Sequence, residues 1–389
     1  MVIAAIIISV ASGLSTPQSP RARRRVDPSA KPLEEWGAYD VPFRIGATTA
    51  GWGDVYSGWR PLLKKRERLA DQFGKEDISA AYNCLARGGI EVWDVAAGSS
   101  GAHLLAQCVE ANGVALPAPR VLARVAPSMS ARAWSVVNSR RLGREGAMEL
   151  RDGFELTSEQ LPVDLLLYGP HEDSKTARVP KAYAGEARAC QRFSSDVGIV
   201  NVRGGKALRD AHRSLARRGL RLVACAVDFS VVQCGAMYDG TLEAAKDLDI
   251  TVFARSPLGQ GLGSGKYTIQ DPTNAGGFNS IPKWRPRVLF MYQELHETLA
   301  RIASRVSSRR TTSLRSSDAD APSVGITPAQ VSLQWVIAKG AVPLVGVKRL
   351  AHAEEVLGCK GWALKQDEVD MIDELASIKM PIFKKLRKG

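Results

Sequence analysis

The chain has 389 residues, a formal net charge of +13 and 45% hydrophobic residues, and its six cysteines stand singly without CxxC or other metal spacing. The hydrophobic share suits a large packed core and excludes a wholly disordered chain. The cysteine pattern argues against a disulfide framework or a zinc site and predicts reduced thiols.

The basic excess is local. It sits at Arg21, Arg23, Arg24 and Arg25, at Arg305, Arg309, Arg310 and Arg315, and at Lys384, Lys385, Arg387 and Lys388. No basic run is interleaved with aromatics, so no nucleic-acid partner is expected. Val2 to Val10 is apolar but too short to span a bilayer, and no transmembrane segment is expected in the mature chain. The small residues Ala11, Ser12 and Gly13 follow, then a Ser-, Pro- and Arg-rich stretch from Leu14 to Val26 without an acid. This order predicts a targeting leader over residues 1–35, bipartite and plastid-directed, with secretion as the runner-up and an untargeted N-terminus as the third reading.

From there short apolar runs alternate with helical patterns over residues 36–389, the signature of parallel strands with helical crossovers. Strands are predicted at Phe43–Thr49, Ile90–Val95, Arg120–Val125, Val163–Tyr168, Gly198–Val202, Leu222–Phe229, Thr251–Arg255 and Val342–Val347. Helices are predicted at Asp77–Arg87, Ala207–Arg217 and Leu242–Asp247, and at Ala329–Ala338 behind Thr327 and Pro328. Eight strands favour one closed (β/α)8 TIM-type barrel, an architecture of about 250 residues, over an open doubly wound sheet. No GxGxxG follows the first strand. Val306–Val324, which includes SSRRTTSLRSSDADAPS, is nearly devoid of apolar residues and is predicted to be a disordered insertion.

Five stretches in order resemble aldo-keto reductases, especially plant, algal and cyanobacterial-type members. They are Ala47–Asp54 (ATTAGWGD), Gly89–Ala97 (GIEVWDVAA), Ala254–Tyr267 (ARSPLGQGLGSGKY), Gly325–Trp335 (GITPAQVSLQW) and Pro343–Trp362. The resemblance runs from about Val41 to Ile378. It implies a monomeric barrel that reduces a small-molecule carbonyl or aldehyde with NADP(H), without a metal, at the C-terminal ends of its strands. In such enzymes a Tyr gives the proton, a Lys paired with an Asp lowers the Tyr pKa, and a His orients the substrate.

Carried over, that tetrad is degenerate. The Asp maps to Asp94, the Tyr to Ser99, the Lys to Arg124 and the His to Gly169, with His171 two positions beyond. There is no Tyr between Tyr82 and Tyr168 and no Lys between Lys75 and Lys175. The Ser-Asn pair and Gln that hold the nicotinamide amide map to Val200, Asn201 and Ala226, and the stacking aromatic maps to Arg255. The phosphate side matches better. Ser256, Pro257, Leu258, Gly259 and Gly261 match the loop over the pyrophosphate, and Lys348 the cation at the 2′-phosphate, with Arg349 beside it. Glu355 matches the adenine-side Glu, whose neighbouring Asn is here Val356.

Plainer roles stand beside these. Asp94 and Arg124 can be a structural pair, Asn201 a strand-end cap, Lys348 and Arg349 a solvated basic loop, and Cys225 core. Trp52 and Trp59 can line a pocket or pack in the core. Three functions remain open: an NADP-linked oxidoreductase with weakened chemistry, a non-catalytic barrel binding NADP(H) or a protein partner, and a different reaction built on Asp94 and Arg124.

Overall fold

The computed structural model describes residues 44–52, 73–125, 157, 160–168, 195–269, 286–317 and 325–386. Eight parallel strands close into a barrel in chain order: β1 Gly46–Thr48, β2 Val92–Ala96, β3 Arg120–Val125, β4 Val163–Tyr168, β5 Asp196–Val200, β6 Arg221–Asp228, β7 Thr251–Arg255 and β8 Ala341–Gly346. β8 pairs back onto β1 through Gly46–Leu344 and Thr48–Gly346. The predicted fold class holds, and three predicted strands (β3, β4 and β7) coincide with the observed ones.

Strand alternation divides the interior in two. Leu122, Leu165, Leu167, Val200, Ala224, Ala226, Phe253, Val342 and Leu344 point inward and plug the barrel. Their neighbours, such as Val121, Ala123, Leu166 and Val252, point outward under the helices. A side chain two positions beyond a plug residue therefore faces the mouth where the strands end.

The described helices are α1 Lys75–Arg87, α2 Ser100–Asn112, α3 Gly205–Ala216, α4 Thr241–Asp247, α5 Pro286–Ser317, α6 Pro328–Ala338, α7 Leu350–Leu357 and α8 Gln366–Leu386, with a four-residue turn of helix at Gly235–Tyr238. α6 starts as its sequence dictates. The Thr327 hydroxyl accepts from Gln330 N–H at 3.2 Å, the Gln330 side chain accepts from Thr327 N–H at 3.0 Å, and Pro328 opens the first turn.

The insertion expected at 306–324 needs correction over its first part, because α5 runs through Ser317; residues 318–324 lie outside the described residues. The hydroxyls of this segment turn back onto the helix, and two packing contacts keep it helical. Ser304, Ser307, Ser308, Thr311 and Thr312 each donate a side-chain hydrogen bond to the carbonyl four residues back. Ile302 and Val306, one turn apart, are both buried, and Arg309 forks onto the buried Glu368 at the start of α8 (Nη1–Oε1 2.5 Å, Nη2–Oε2 3.2 Å).

Candidate active site

Asp94 lies on β2 opposite Thr48 of β1, and two residues on, Ala96 pairs with Arg124 of β3. That register brings three polar side chains together in the barrel mouth. Thr48 Oγ1 donates to one Asp94 carboxylate oxygen at 2.6 Å, and Arg124 Nε donates to the other at 2.6 Å. Asp94 is 2% exposed, whereas the Arg124 side chain keeps 20% exposure toward the mouth. A carboxylate this buried requires a paired cation and hydrogen bonds on both oxygens, and it has them. The fold thus unites Asp94 and Arg124 as the tetrad mapping expected, and it also makes them the structural pair of the plainer reading.

Ser99 is the N-cap of α2. Its backbone is extended and its hydroxyl accepts from Ala102 N–H at 3.2 Å. The hydroxyl is thereby held against the helix end, on a side chain much shorter than a tyrosine. Gly169, directly after β4, lies outside the described residues, as do His171 and Trp59.

Across the barrel, β5 and β7 build a second pair that sequence reading did not anticipate. Asn201 follows β5 with φ +59°, a left-handed backbone that Asn tolerates. Its N–H donates to Ala226 O at 3.0 Å. Its side-chain oxygen accepts from Arg255 Nη1 at 2.8 Å. The residue expected to hold an amide is therefore engaged by the residue standing where a stacking ring was expected. Val200 and Ala226, the other two mapped amide positions, belong to the apolar plug. No local pattern could have revealed the pairing, because the partners are 54 residues apart.

The glycine-rich segment begins at Ser256 and runs through a 3-10 stretch, Gly259–Ser264. Ser256, Gly259, Gln260 and Gly261 all have positive φ. At Gly259 a Cβ would lie 2.1 Å from Val232 Cγ2, so only glycine lets the loop nest on the β6 side. Pro257 is buried and Leu258 packs on the core. Next around the barrel, β8 delivers Lys348 and Arg349. The Lys348 ammonium sits 5.1 Å from the centre of the Phe73 ring. Arg349 is the N-cap of α7, so two cations flank a helix N-terminus, an arrangement suited to an anion. Glu355, on α7, accepts from Thr327 Oγ1 at 2.9 Å and its carbonyl accepts from Gln330 Nε2 at 2.9 Å. It clamps α7 to the start of α6.

Two plainer readings hold. Trp52 is core: it is 2% exposed, lies edge-on to Trp93 and donates its indole N–H to Val347 O at 2.7 Å. Cys225 is fully buried, and desolvation pushes its thiol up to about 12, which removes it as a nucleophile. Among the described residues no group of His, Cys, Asp and Glu is placed to hold a metal ion, and no helix is long and apolar enough to cross a membrane.

The site is a TIM-type barrel mouth, with an acid–base pair on one side and a glycine loop and two cations on the other. Comparison with known proteins shows what it resembles. The Aldo/keto reductase family profile matches residues 196–377, a little under half of the chain, and over that stretch the chain resembles that family. It is 32% identical over 175 residues to a chloroplastic pyridoxal reductase of Arabidopsis thaliana, covering 44% of this chain and 41% of that protein. The chain thus spans about two fifths of that relative's length. Among solved structures, an aldo/keto reductase from Klebsiella pneumoniae in complex with NADP and acetate superposes with a TM-score of 0.53 at 16% identity, covering 86% of this chain and 91% of that one. A glycerol dehydrogenase from Gluconobacter oxydans gives 0.58 at 14% identity, covering 88% and 94%. At those identities the structures speak to the fold.

Proposed function

We propose that this chain is a monomeric, NADP(H)-binding aldo/keto reductase whose carbonyl reduction is strongly weakened. One observation carries the reading: the position that would supply a phenolic proton is Ser99, held as the cap of α2, beside an Asp94 whose oxygens both have donors. NADPH, when bound, supplies a hydride for a carbonyl carbon. The proton for the carbonyl oxygen must come from this chain, and a serine hydroxyl is a far weaker acid than a phenol. A positioned general acid is worth about 100- to 10,000-fold in rate.

The residues fit the two ends of the cofactor unequally. Lys348, Arg349 and the α7 N-terminus have the chemistry of a 2′-phosphate site, and Ser256–Gly261 that of a backbone cradle. Charge-assisted contacts contribute about 1.5–3 kcal/mol each. At the nicotinamide end Val200 and Ala226 offer no polar side-chain atom, and the Asn201 side-chain oxygen accepts from Arg255. This last pair favours a second reading, a barrel that binds the nucleotide without turnover.

Titration with NADPH, NADH and 2′,5′-ADP, followed by fluorescence and thermal stability, tests both. The expected result is similar affinity for NADPH and 2′,5′-ADP, weaker binding of NADH, and little aldehyde reduction. Lys348→Ala with Arg349→Ala abolishes the preference for NADPH over NADH. Brisk turnover of simple aldehydes by the unmodified protein would overturn the weakened-site reading. A small-molecule carbonyl is the proposed substrate class.

The plastid is the proposed location. It is supported by the acid-free Leu14–Val26 stretch and by the chloroplastic relative. N-terminal sequencing of the native protein should find a start near residues 27–36; a mature chain beginning at Met1 or Val2 contradicts it.

A further inference from the structure

The glycine-rich loop is suspended from behind by two side chains of the outer helices. His296 on α5 meets Leu262 O at 2.7 Å through Nε2. A carbonyl only accepts, so Nε2 carries the proton. Ser332 on α6, with no exposed surface, donates its hydroxyl to Gly263 O at 2.6 Å. Inside the loop Ser264 Oγ donates to Gly261 O at 2.7 Å, the N–H groups of Gly261 and Gly263 both donate to Leu258 O at 2.9 Å, and Gly259 N–H donates to Ser256 O at 2.7 Å. The carbonyls of 256, 258, 261, 262 and 263 therefore all have protein donors. Backbone accepts an anion only where carbonyl oxygens turn away from it, and two of these five are fixed by side chains from separate helices.

We propose that His296 and Ser332 are positioning residues that turn the Leu262 and Gly263 carbonyls outward and so shape the loop for a diphosphate. The proposal rests on the reading that this loop meets the pyrophosphate of a dinucleotide. It assigns the loop a contribution to affinity separate from that of Lys348 and Arg349, because the two features hang from different supports: the loop from α5 and α6, the cations from β8 and Phe73.

The probes that separate the two are NADPH, which carries a diphosphate, and 2′-AMP, which carries the 2′-phosphate and no 5′-phosphate to enter the loop. Calorimetric titration of the full chain is run on wild type, His296→Leu, His296→Gln and Ser332→Ala. Losing one anchoring hydrogen bond should weaken NADPH binding by about three- to tenfold, while 2′-AMP changes by less than about twofold. His296→Gln keeps an N–H donor of similar reach and recovers most of the NADPH affinity; a purely space-filling role would not distinguish Gln from Leu in this way. Ser332→Ala removes a single hydroxyl and supplies the test if His296→Leu does not fold. Equal loss for both probes, unchanged NADPH affinity in folded His296→Leu and Ser332→Ala, or failure of Gln to rescue would each overturn the proposal while leaving dinucleotide binding intact. Wild-type protein that binds neither probe would overturn the dinucleotide reading and this proposal with it.

Discussion

At the scale of single residues, two of the departures from the pattern that the sequence resembles install arginine. Arg124 keeps the positive charge beside Asp94 but gives it a planar fork in place of an ammonium. Arg255 takes hold of Asn201. The Asp94 pair has a stability consequence. Removing one member of a buried ion pair costs about 3–5 kcal/mol, and the 20% exposure of Arg124 lets water relieve part of that. Asp94→Ala, which also strips Thr48 of its acceptor, is expected to lower unfolding free energy by about 2–3 kcal/mol in urea. A loss under about 0.5 kcal/mol would mean that the pair contributes little to the fold. The second arginine bears on repair. Ser99→Tyr, Arg124→Lys and Gly169→His together restore the tetrad's residue types but leave Asn201 engaged. Adding Arg255→Tyr removes the Arg255 hydrogen bond to the Asn201 side-chain oxygen. The fourfold variant should exceed the threefold one by about tenfold or more in aldehyde reduction, since a misplacement of about 1 Å costs about 100-fold. Equal rates in the two variants would show that the Asn201–Arg255 pair does not limit placement.

At the scale of elements, what could be read from the chain was whatever depends on neighbours in sequence. The strands were legible because buried parallel strands are short apolar runs, as Val163–Tyr168 and Thr251–Arg255 show. The start of α6 was legible because its capping box spans only Thr327 to Gln330. The second half of α5 was not. Ser and Thr read as turn formers; here carbonyls one turn back absorb their hydroxyls, and what holds the segment is the burial of Ile302 and Val306 together with an acid from α8, 59 residues from Arg309. The site divides along the same line. Ser99 and the glycine loop were visible as motifs, whereas the Asn201–Arg255 pairing and the backing of the loop by His296 exist only once the barrel closes. Arg309 offers the test at this scale. Glu368 is 1% exposed and takes both Arg309 nitrogens as well as Lys365 N–H at 2.9 Å. Arg309→Ala leaves that buried carboxylate with one donor and is expected to destabilise by about 2–3 kcal/mol. The companion Glu368→Gln keeps the cap and should cost less. If Arg309→Ala is silent in thermal unfolding, the ion pair with Glu368 contributes nothing to holding this part of α5.

At the scale of the whole molecule, His296 ties the outer helix α5 to the loop at Leu262, and this contact responds to pH. Burial pushes the His296 pKa down, and the hydrogen bond to Leu262 only partly offsets this. A histidine whose folded pKa lies below its unfolded value of about 6.5 binds fewer protons in the native state. Its contribution to stability is therefore complete above that unfolded value and is lost as pH falls through it toward the folded value. Asp164 runs the other way. Burial raises its pKa, against the Val121 N–H and Arg120, so its ionised form is a burden in the fold that protonation relieves at lower pH. The two effects occupy different windows, one just below the ordinary histidine range and the other nearer the carboxylate range. Urea unfolding of the wild type is thus expected to show a midpoint that declines from about pH 7.5 to about pH 5.5. His296→Gln has no proton to gain there and should flatten the decline while leaving the acid-side behaviour unchanged. The comparison uses the difference between the two proteins, so other histidines, titrating alike in both, cancel. If both proteins lose stability with the same slope across that interval, His296 is not desolvated in the native state, and the tight contact of α5 with the loop at Leu262 does not persist in solution.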